Sequence, residues 1–466
     1  MSNLLIQQYN DDQEVNTTEQ ELTPNDEQWM PNQWKSVKLG AIAKEFISGG
    51  TPSTKRTELW DGIIPWTTSA TISEDAITYN IAQRFITEQG LQESASHVVP
   101  HGNLLVGTRV GVGKAVVNLL DIAISQDITG IVLKEVAQPD FIAYQFKTDR
   151  LQRIFKGYKR GTTIQGISRF DLQSLKLYLP PLPEQHTVAY VLHTVQQAIQ
   201  TRHKELKLER ERKAALMHYL FTYGTRKEAT KQSEVGEIPE SWEVVRLGNI
   251  IRIKYGYQTS IPSTPPSGGI DIISTAEILN EGILNLTKIR TVEIPKKLVE
   301  NYRVHKNDVL FNWRNAQEHV GKCAIIDFDP IKPTIFASFI LALRTGEKIN
   351  YKYLHLLLTY FRQKGIFFKL SRRAVNQANF NANELGNLNI PLPPLVEQIK
   401  LTEILSALDN KIAALKHEII LHEELFRALL DELMTGHIST LPLVEQLEKG
   451  TLTYEQRTSD GTGTTH

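Results

Sequence analysis

Cysteine is nearly absent from this 466-residue chain: Cys323 stands alone, which excludes an intrachain disulfide framework and a cysteine-ligated zinc cluster. Long hydrophobic runs are missing as well. No apolar stretch approaches the roughly 20 residues of a membrane span, and the N-terminus lacks the basic start and apolar core of a signal peptide. A cytoplasmic protein with no membrane partner is therefore expected. Catalytic signatures are also lacking. There is no HExxH, no GxSxG, no glycine-rich dinucleotide fingerprint, and no Asn-Pro-Pro-aromatic or Asp-Pro-Pro-aromatic run of the kind amino-methylating enzymes use. GTRVGVGKA from Gly107 imitates a phosphate loop, but Gly107 and Gly113 are one residue too far apart and Ala115 stands where Ser or Thr must reach magnesium. The 13 histidines are scattered. Two of them, His417 and His422, lie on a coiled-coil pattern and point to an interface rather than to a metal.

Charge of one sign is missing from the first 34 residues, which carry Asp11, Asp12, Glu14, Glu19, Glu21, Asp26 and Glu27 and no Lys or Arg. Net charge over the whole chain is zero, so everything after this head is net positive by seven. The neutral average thus hides a basic body, and a nucleic-acid partner is not excluded. Residues 1–30 are expected to be an acidic, disordered extension, and 441–466 a polar tail.

What the chain has is a duplication. DLQSLKLYLPPLPEQ at 171–185 returns as ELGNLNIPLPPLVEQ at 384–398, and WKSVKLGAIA from Trp34 is echoed by WEVVRLGNII from Trp242. A period of about 210 residues is too long for a solenoid or propeller, so each copy is a whole domain. Boundaries follow: domains at 31–180 and 239–393, with a helix and linker at 181–238 after the first and a helix at 394–440 after the second. Within each copy, short strand patterns come first (Gly62–Trp66, NLLVGTRV from Asn103, AVVNLL from Ala115; DIIS at Asp271, NDVLFNW from Asn307, KCAIID from Lys322). A helix with a basic end follows, PDFIAYQFKTDRLQRIFKGYKRG from Pro139 in one copy and NYKYLHLLLTYFRQKG from Asn350 in the other. The fold class is α+β, two similar mixed α/β domains.

After each LPPL motif the spacing predicts a long helix. Leu405, Leu408, Ile412, Leu415, Ile419, His422, Phe426, Leu429 and Leu433 step by three and four, a coiled-coil seam. The first helix keeps the frame with Leu192, Val195, Ile199, Leu206, Leu216 and Leu220, while Arg202, Glu209 and Lys213 occupy weaker slots. Connectivity requires the pair to run antiparallel, giving a dumbbell with a pseudo-twofold axis across its rod.

The recurring chemistry is basic, polar and looped. Candidates for contact with DNA in the first copy are Arg109, Lys114, Arg153, Lys156, Lys159, Arg160, Thr162, Thr163, Gln165 and Arg169. Those in the second are Arg314, Lys322, Lys364, Lys369, Arg372, Arg373, Asn376, Gln377 and Asn379. Arg and Lys suit phosphates, and Asn or Gln can bond bidentately to adenine. One such cluster is ordinarily a solvated helix face; two at equivalent places argue for a shared surface.

SEVGEIPESWEVVRLG at 233–248, GTTIQGISRFDLQSLKLYLPPLPEQ at 161–185 and IPLPPLVEQ at 390–398 closely resemble the specificity subunit of type I restriction-modification systems. The resemblance spans roughly residues 31–438, duplication included. It implies two target recognition domains, each reading half of a split DNA sequence, with the helices as spacers. The implied partners are double-stranded DNA, two modification subunits that methylate adenine with S-adenosylmethionine, and restriction subunits driven by ATP with magnesium. No cofactor, metal or catalytic residue is implied in this chain. The loops differ between copies (SGGTPSTKRTELW against KYGYQTSIPSTPPSG), so an asymmetric target is expected. The rival readings are a coiled-coil adaptor that binds only protein, and an enzyme with an unrecognised site.

Overall fold

A computed structural model describes residues 31, 33–73, 76–158, 166–259, 268–370, 372–374 and 377–448, with the backbone alone for 372–374, 377–378 and 446–448. Described residues up to Thr201, together with those from Ile419 onward, form one compact unit, and Arg202–Glu418 form a second.

The first unit is built on two sheets. One orders its strands Ala43–Ser48, Ile128–Leu133, Leu104–Gly107, Ala115–Asn118, Thr78–Tyr79; the other runs Arg84–Ile86, Trp60–Thr67, Ile122–Ile124, Val98–Val99. Leu104–Gly107, Ala115–Asn118 and Ile122–Ile124 are buried along their whole length, which is why they read as apolar runs rather than alternating ones. The opening strand Lys35–Lys38 pairs antiparallel with Lys176–Leu179, so the chain enters and leaves the sheet region side by side. The second unit repeats this plan. Ile251–Tyr255, Ile340–Thr345, Val309–Asn312 and Cys323–Ile325 form one sheet, Arg290–Val292, Ile270–Ile273 and Thr334–Phe336 another. Glu243–Arg246 pairs with Asn389–Leu392.

Every sequence-predicted strand is found, but the helix from Pro139 is not continuous. It splits into Pro139–Phe146 and Asp149–Tyr158. Thr148 causes the break: its hydroxyl and its amide both donate to the Gln145 carbonyl, closing the first helix. The counterpart, Tyr351–Gln363, is capped by Asn350, whose side chain accepts from the Lys352 and Tyr353 amides. Gly365, at φ 70°, turns the chain into a short second helix, Ile366–Leu370.

The long helices are Leu182–Tyr223 and Leu395–Thr435, the first about 60 Å long at 1.5 Å per residue. They run antiparallel within each unit. In the second unit Arg202 pairs with Glu418 at 3.1 Å, Glu209 with Lys411 at 2.7 Å, and Lys213 with Asp409, so the three weak seam slots of the first helix hold cross-helix ion pairs. In the first unit Leu430, Leu433 and Met434 share one core with Val188, Ala189 and Leu192. Within the stretch expected to be a polar tail, Leu441–Glu448 is helical, and 449–466 lie outside the described residues.

Candidate nucleic-acid interface

Two glycines set the loops that follow the central strands. Gly113 and Gly321 have φ of 87° and 83°, and a Cβ on either would collide with a ring, Phe155 in one unit and Phe367 in the other. Beside them Lys114 and Lys322 perform the same task. Lys114 Nζ donates to the Ile72 carbonyl at 3.1 Å, Lys322 Nζ to the Thr275 carbonyl at 3.2 Å. Lys322 is buried, and burial first, then the neighbouring Arg362, hold its ammonium below the usual lysine range despite Glu277. The expected exposed surface does not include it: Lys322 is buried, with its ammonium pinned to the Thr275 carbonyl.

Of the other described candidates, Arg109, Arg153, Lys156, Arg169, Lys364 and Lys369 are exposed, while Lys114, Arg314 and Asn379 are half-buried. Arg153 and Lys156 are exposed on Asp149–Tyr158, whose opposite face buries Leu151 and Phe155. Arg153 Nε also reaches back to the Asp149 carbonyl. Arg109 is exposed at the loop before Gly111. Arg169 is exposed but directed, donating to the Phe46 carbonyl and, at 3.1 Å, to Ser48 Oγ. In the second unit Lys364 lies 5.6 Å from the Tyr360 ring centre and Lys369 is exposed on the short helix.

The second unit gathers the other candidates into a small sheet. Arg314–Asn315 pairs antiparallel with Gln377–Asn379, which turns back on Arg372–Ala374; Arg314 and Arg372 both sit opposite Asn379. Residues 65 positions apart in the chain are thus neighbours along one edge. Lys159, Arg160, Thr162, Thr163, Gln165 and Asn376 lie outside the described residues, as do the side chains of Arg372, Arg373 and Gln377.

Sequence reasoning missed the rings at this edge. Trp313 meets Tyr255 edge-on at 5.4 Å and Phe339 at 6.3 Å, and Arg314 lies 5.0 Å from the Phe339 ring centre. Tyr255 and Phe339 are 44% and 40% exposed, enough surface to touch a ligand. The adjacency of Trp313 and Arg314 was a visible signal; Phe339, 25 residues on, was not.

Among the described residues no group of three or more His, Cys, Asp or Glu is placed to hold a metal ion. Burial pushes the Cys323 thiol up to about 11, so it stays protonated and unreactive. His417 is exposed, and His422 sits in the helix seam with its Nδ1 buried and without a hydrogen-bond partner among the described residues.

The LPPLxEQ motifs prove to be joints. Gln185 Oε1 accepts from the Gln138 amide at 2.8 Å, while its Nε2 donates to the carbonyls of Val136 and Pro180. Gln398 repeats this with the Asn350 amide at 2.8 Å and the carbonyls of Lys348 and Pro393. Each glutamine ties the start of a domain helix to the start of a long helix.

Residues 31–210 and 239–422 match the type I restriction modification DNA specificity domain, once each. The chain is 24% identical over 421 residues to the type I restriction enzyme MjaIX specificity subunit of Methanocaldococcus jannaschii, covering 88% of this chain and 94% of that one. It is 27% identical over 425 residues to the MjaVIII specificity subunit of the same organism, with the same coverage. Identity rises to 35% with the putative MjaX specificity subunit, but there the match covers 45% of this chain and spans 49% of the relative's length. The fold is shared with the type I restriction-modification S subunit from M. genitalium (TM-score 0.53, 16% identity, 89% of this chain and 97% of that one). It is also shared with a chain solved in a study of complex assembly and conformational transition of the type I R-M system (TM-score 0.55, 19% identity, 88% and 99%). With two matching domains, the repeated joint and the shared fold, the chain belongs to the type I restriction-modification DNA specificity family.

Proposed function

We propose that this chain is the non-catalytic DNA-reading subunit of a type I restriction-modification complex, in which its two units read the two halves of a split, asymmetric duplex target. The observation that carries this reading is the contrast between equivalent positions on one scaffold. Thr108 and Trp313 make the same backbone bonds, their amides donating to the carbonyls of Asp127 and Phe339 and their carbonyls accepting from the amides of Ile167 and Phe380. At those places the first unit carries Thr108 and Asp127 where the second carries Trp313 and Phe339. Frameworks that agree while the side chains at equivalent places differ suit two readers of different sequences.

In this reading the long helices hold the partners. Leu421, Leu425 and Ala428 form an exposed stripe on the second helix; on the first, exposed Leu208 and Ala215 match Leu421 and Ala428, and exposed Tyr219 lies one turn beyond Ala215. Two like stripes fit two modification subunits, with restriction subunits joining the assembly. S-adenosylmethionine, ATP and magnesium would be bound by those partners, in the cytoplasm where they meet DNA.

Methylome sequencing of cells carrying this chain with its modification partner tests the proposal. A methylated two-part sequence with unlike halves is expected, and native mass spectrometry of the complex should find two modification subunits per chain. Absence of sequence-specific protection of DNA by the assembled complex would favour the protein-only adaptor. Cleavage or methylation by the purified chain alone would favour an enzyme.

A further inference from the structure

If each unit reads half of a duplex target, as proposed above, some group on the second unit must convert base edges into binding energy. Its lysines suit phosphates, whose contacts carry no sequence information. Arg314 is held differently. Its backbone is fixed in the small sheet opposite Asn379, and its guanidinium stacks 5.0 Å from the centre of the Phe339 ring. That ring is braced in turn. The edge of Trp313 meets it at 85°, the Trp313 indole N–H donates to the Ser338 carbonyl at 2.7 Å, and Tyr255 abuts the indole from another side. A planar five-donor fork laid on a fixed ring has lost much of its rotamer freedom before any ligand arrives.

We infer that Arg314, stacked on Phe339, is a specificity-determining residue of the second unit and selects a guanine in the half-site that unit reads. Guanine presents O6 and N7 side by side in the major groove, two acceptors that match the fork. Arg314 pairs with the Gln377–Asn379 strand, which turns back on Arg372–Ala374. The first unit differs at this place. Its Arg109 follows Thr108 rather than a tryptophan, and Asp127 offers a carboxylate where Phe339 offers a ring. Guanine selection by a stacked arginine therefore belongs to one half-site and not to the other.

The test uses the full chain in complex with its modification partner, allowed to select from a library of randomised duplexes. Wild type is expected to recover a two-part sequence with a guanine in the second unit's half. Arg314→Lys keeps the charge and removes the fork. It should lower the preference for that guanine by about tenfold to a hundredfold while the other half-site stays unchanged. Phe339→Leu should relax the same position to a smaller degree. Two results would overturn the inference: Arg314→Lys selecting the wild-type sequence, or Arg314→Gln weakening all sequences alike with a shallower salt dependence, which marks a phosphate contact. Arg314→Lys is the deciding variant if Arg314→Gln proves unstable. A wild-type complex that recovers no two-part sequence would instead remove the DNA-reading proposal itself, and Arg314's role with it.

Discussion

The two units solve one structural problem with the same residues and different bonding partners. Trp34 and Glu184 at the first joint correspond to Trp242 and Glu397 at the second. In the first unit the Trp34 indole donates to Glu184 at 3.2 Å, and Thr440 is the other donor to that carboxylate. In the second, the Trp242 indole is buried without a partner among the described residues. Glu397 there takes the Thr225 amide at 2.8 Å and lies 3.4 Å from Arg226 Nε. The glutamines beside them are bonded identically. A duplicated motif therefore preserves what the backbone demands, namely a satisfied helix start, and leaves the charge to be balanced by whatever sequence happens to follow each long helix.

The comparison can be broken most severely at the glutamines. Gln185→Ala or Gln398→Ala strands one amide and two carbonyls at a buried joint. At ~1–3 kcal/mol per unsatisfied group the loss should reach about 3 kcal/mol or more. Hydrogen exchange should show the Gln138 amide losing protection in the first variant and the Asn350 amide in the second, each with the other unit unaffected.

The glutamates should respond with opposite signs. Burial raises the Glu184 carboxyl above the ordinary glutamate range, more than its bonds from Trp34 and Thr440 lower it. A carboxyl with a raised folded-state pKa binds its proton more tightly folded than unfolded. The first unit thus gains stability from this group in acid and loses it as pH rises through the raised value. Glu184→Gln should abolish that slope and leave the unit at least as stable as wild type at neutral pH. Glu397→Gln removes a carboxylate that is bonded and ion-paired, so it should destabilise the second unit by about 1–3 kcal/mol. Urea unfolding of both variants across the acid range reads the two signs directly.

The smallest effect concerns the basic faces. Arg153→Ala with Lys156→Ala on the first unit, and Lys364→Ala with Lys369→Ala on the second, should weaken binding of the assembled complex to specific and random duplexes alike. Each should flatten the log-affinity against log-salt slope by roughly 0.9 per lost contact. Equal slopes for one pair and wild type would return that pair to an ordinary solvated face and make the two units unlike in their backbone contacts.

Much of this was legible in advance. The long-helix periodicity, the opening strands and the duplication are local or repeated patterns, and each is where the spacing puts it. The polar slots Arg202, Glu209 and Lys213 read as flaws in a seam only until Glu418, Lys411 and Asp409 stand across from them. The candidate surface was read less well. Lys322 and Arg314 look alike in a list of cations, yet one is buried against a carbonyl 47 residues away and the other is stacked on a ring.

By itself, then, the sequence determined the two-domain plan, the strands and long helices, and the positions of the joints, because hydrophobic spacing, capping and repeats act through neighbours along the chain. Only the tertiary structure decided which cation faces outward, which ring supports Arg314, and which partner each joint glutamate finds. Those outcomes depend on groups brought together from distant parts of the chain, and a side chain's burial and bonding are properties of that meeting rather than of its own position.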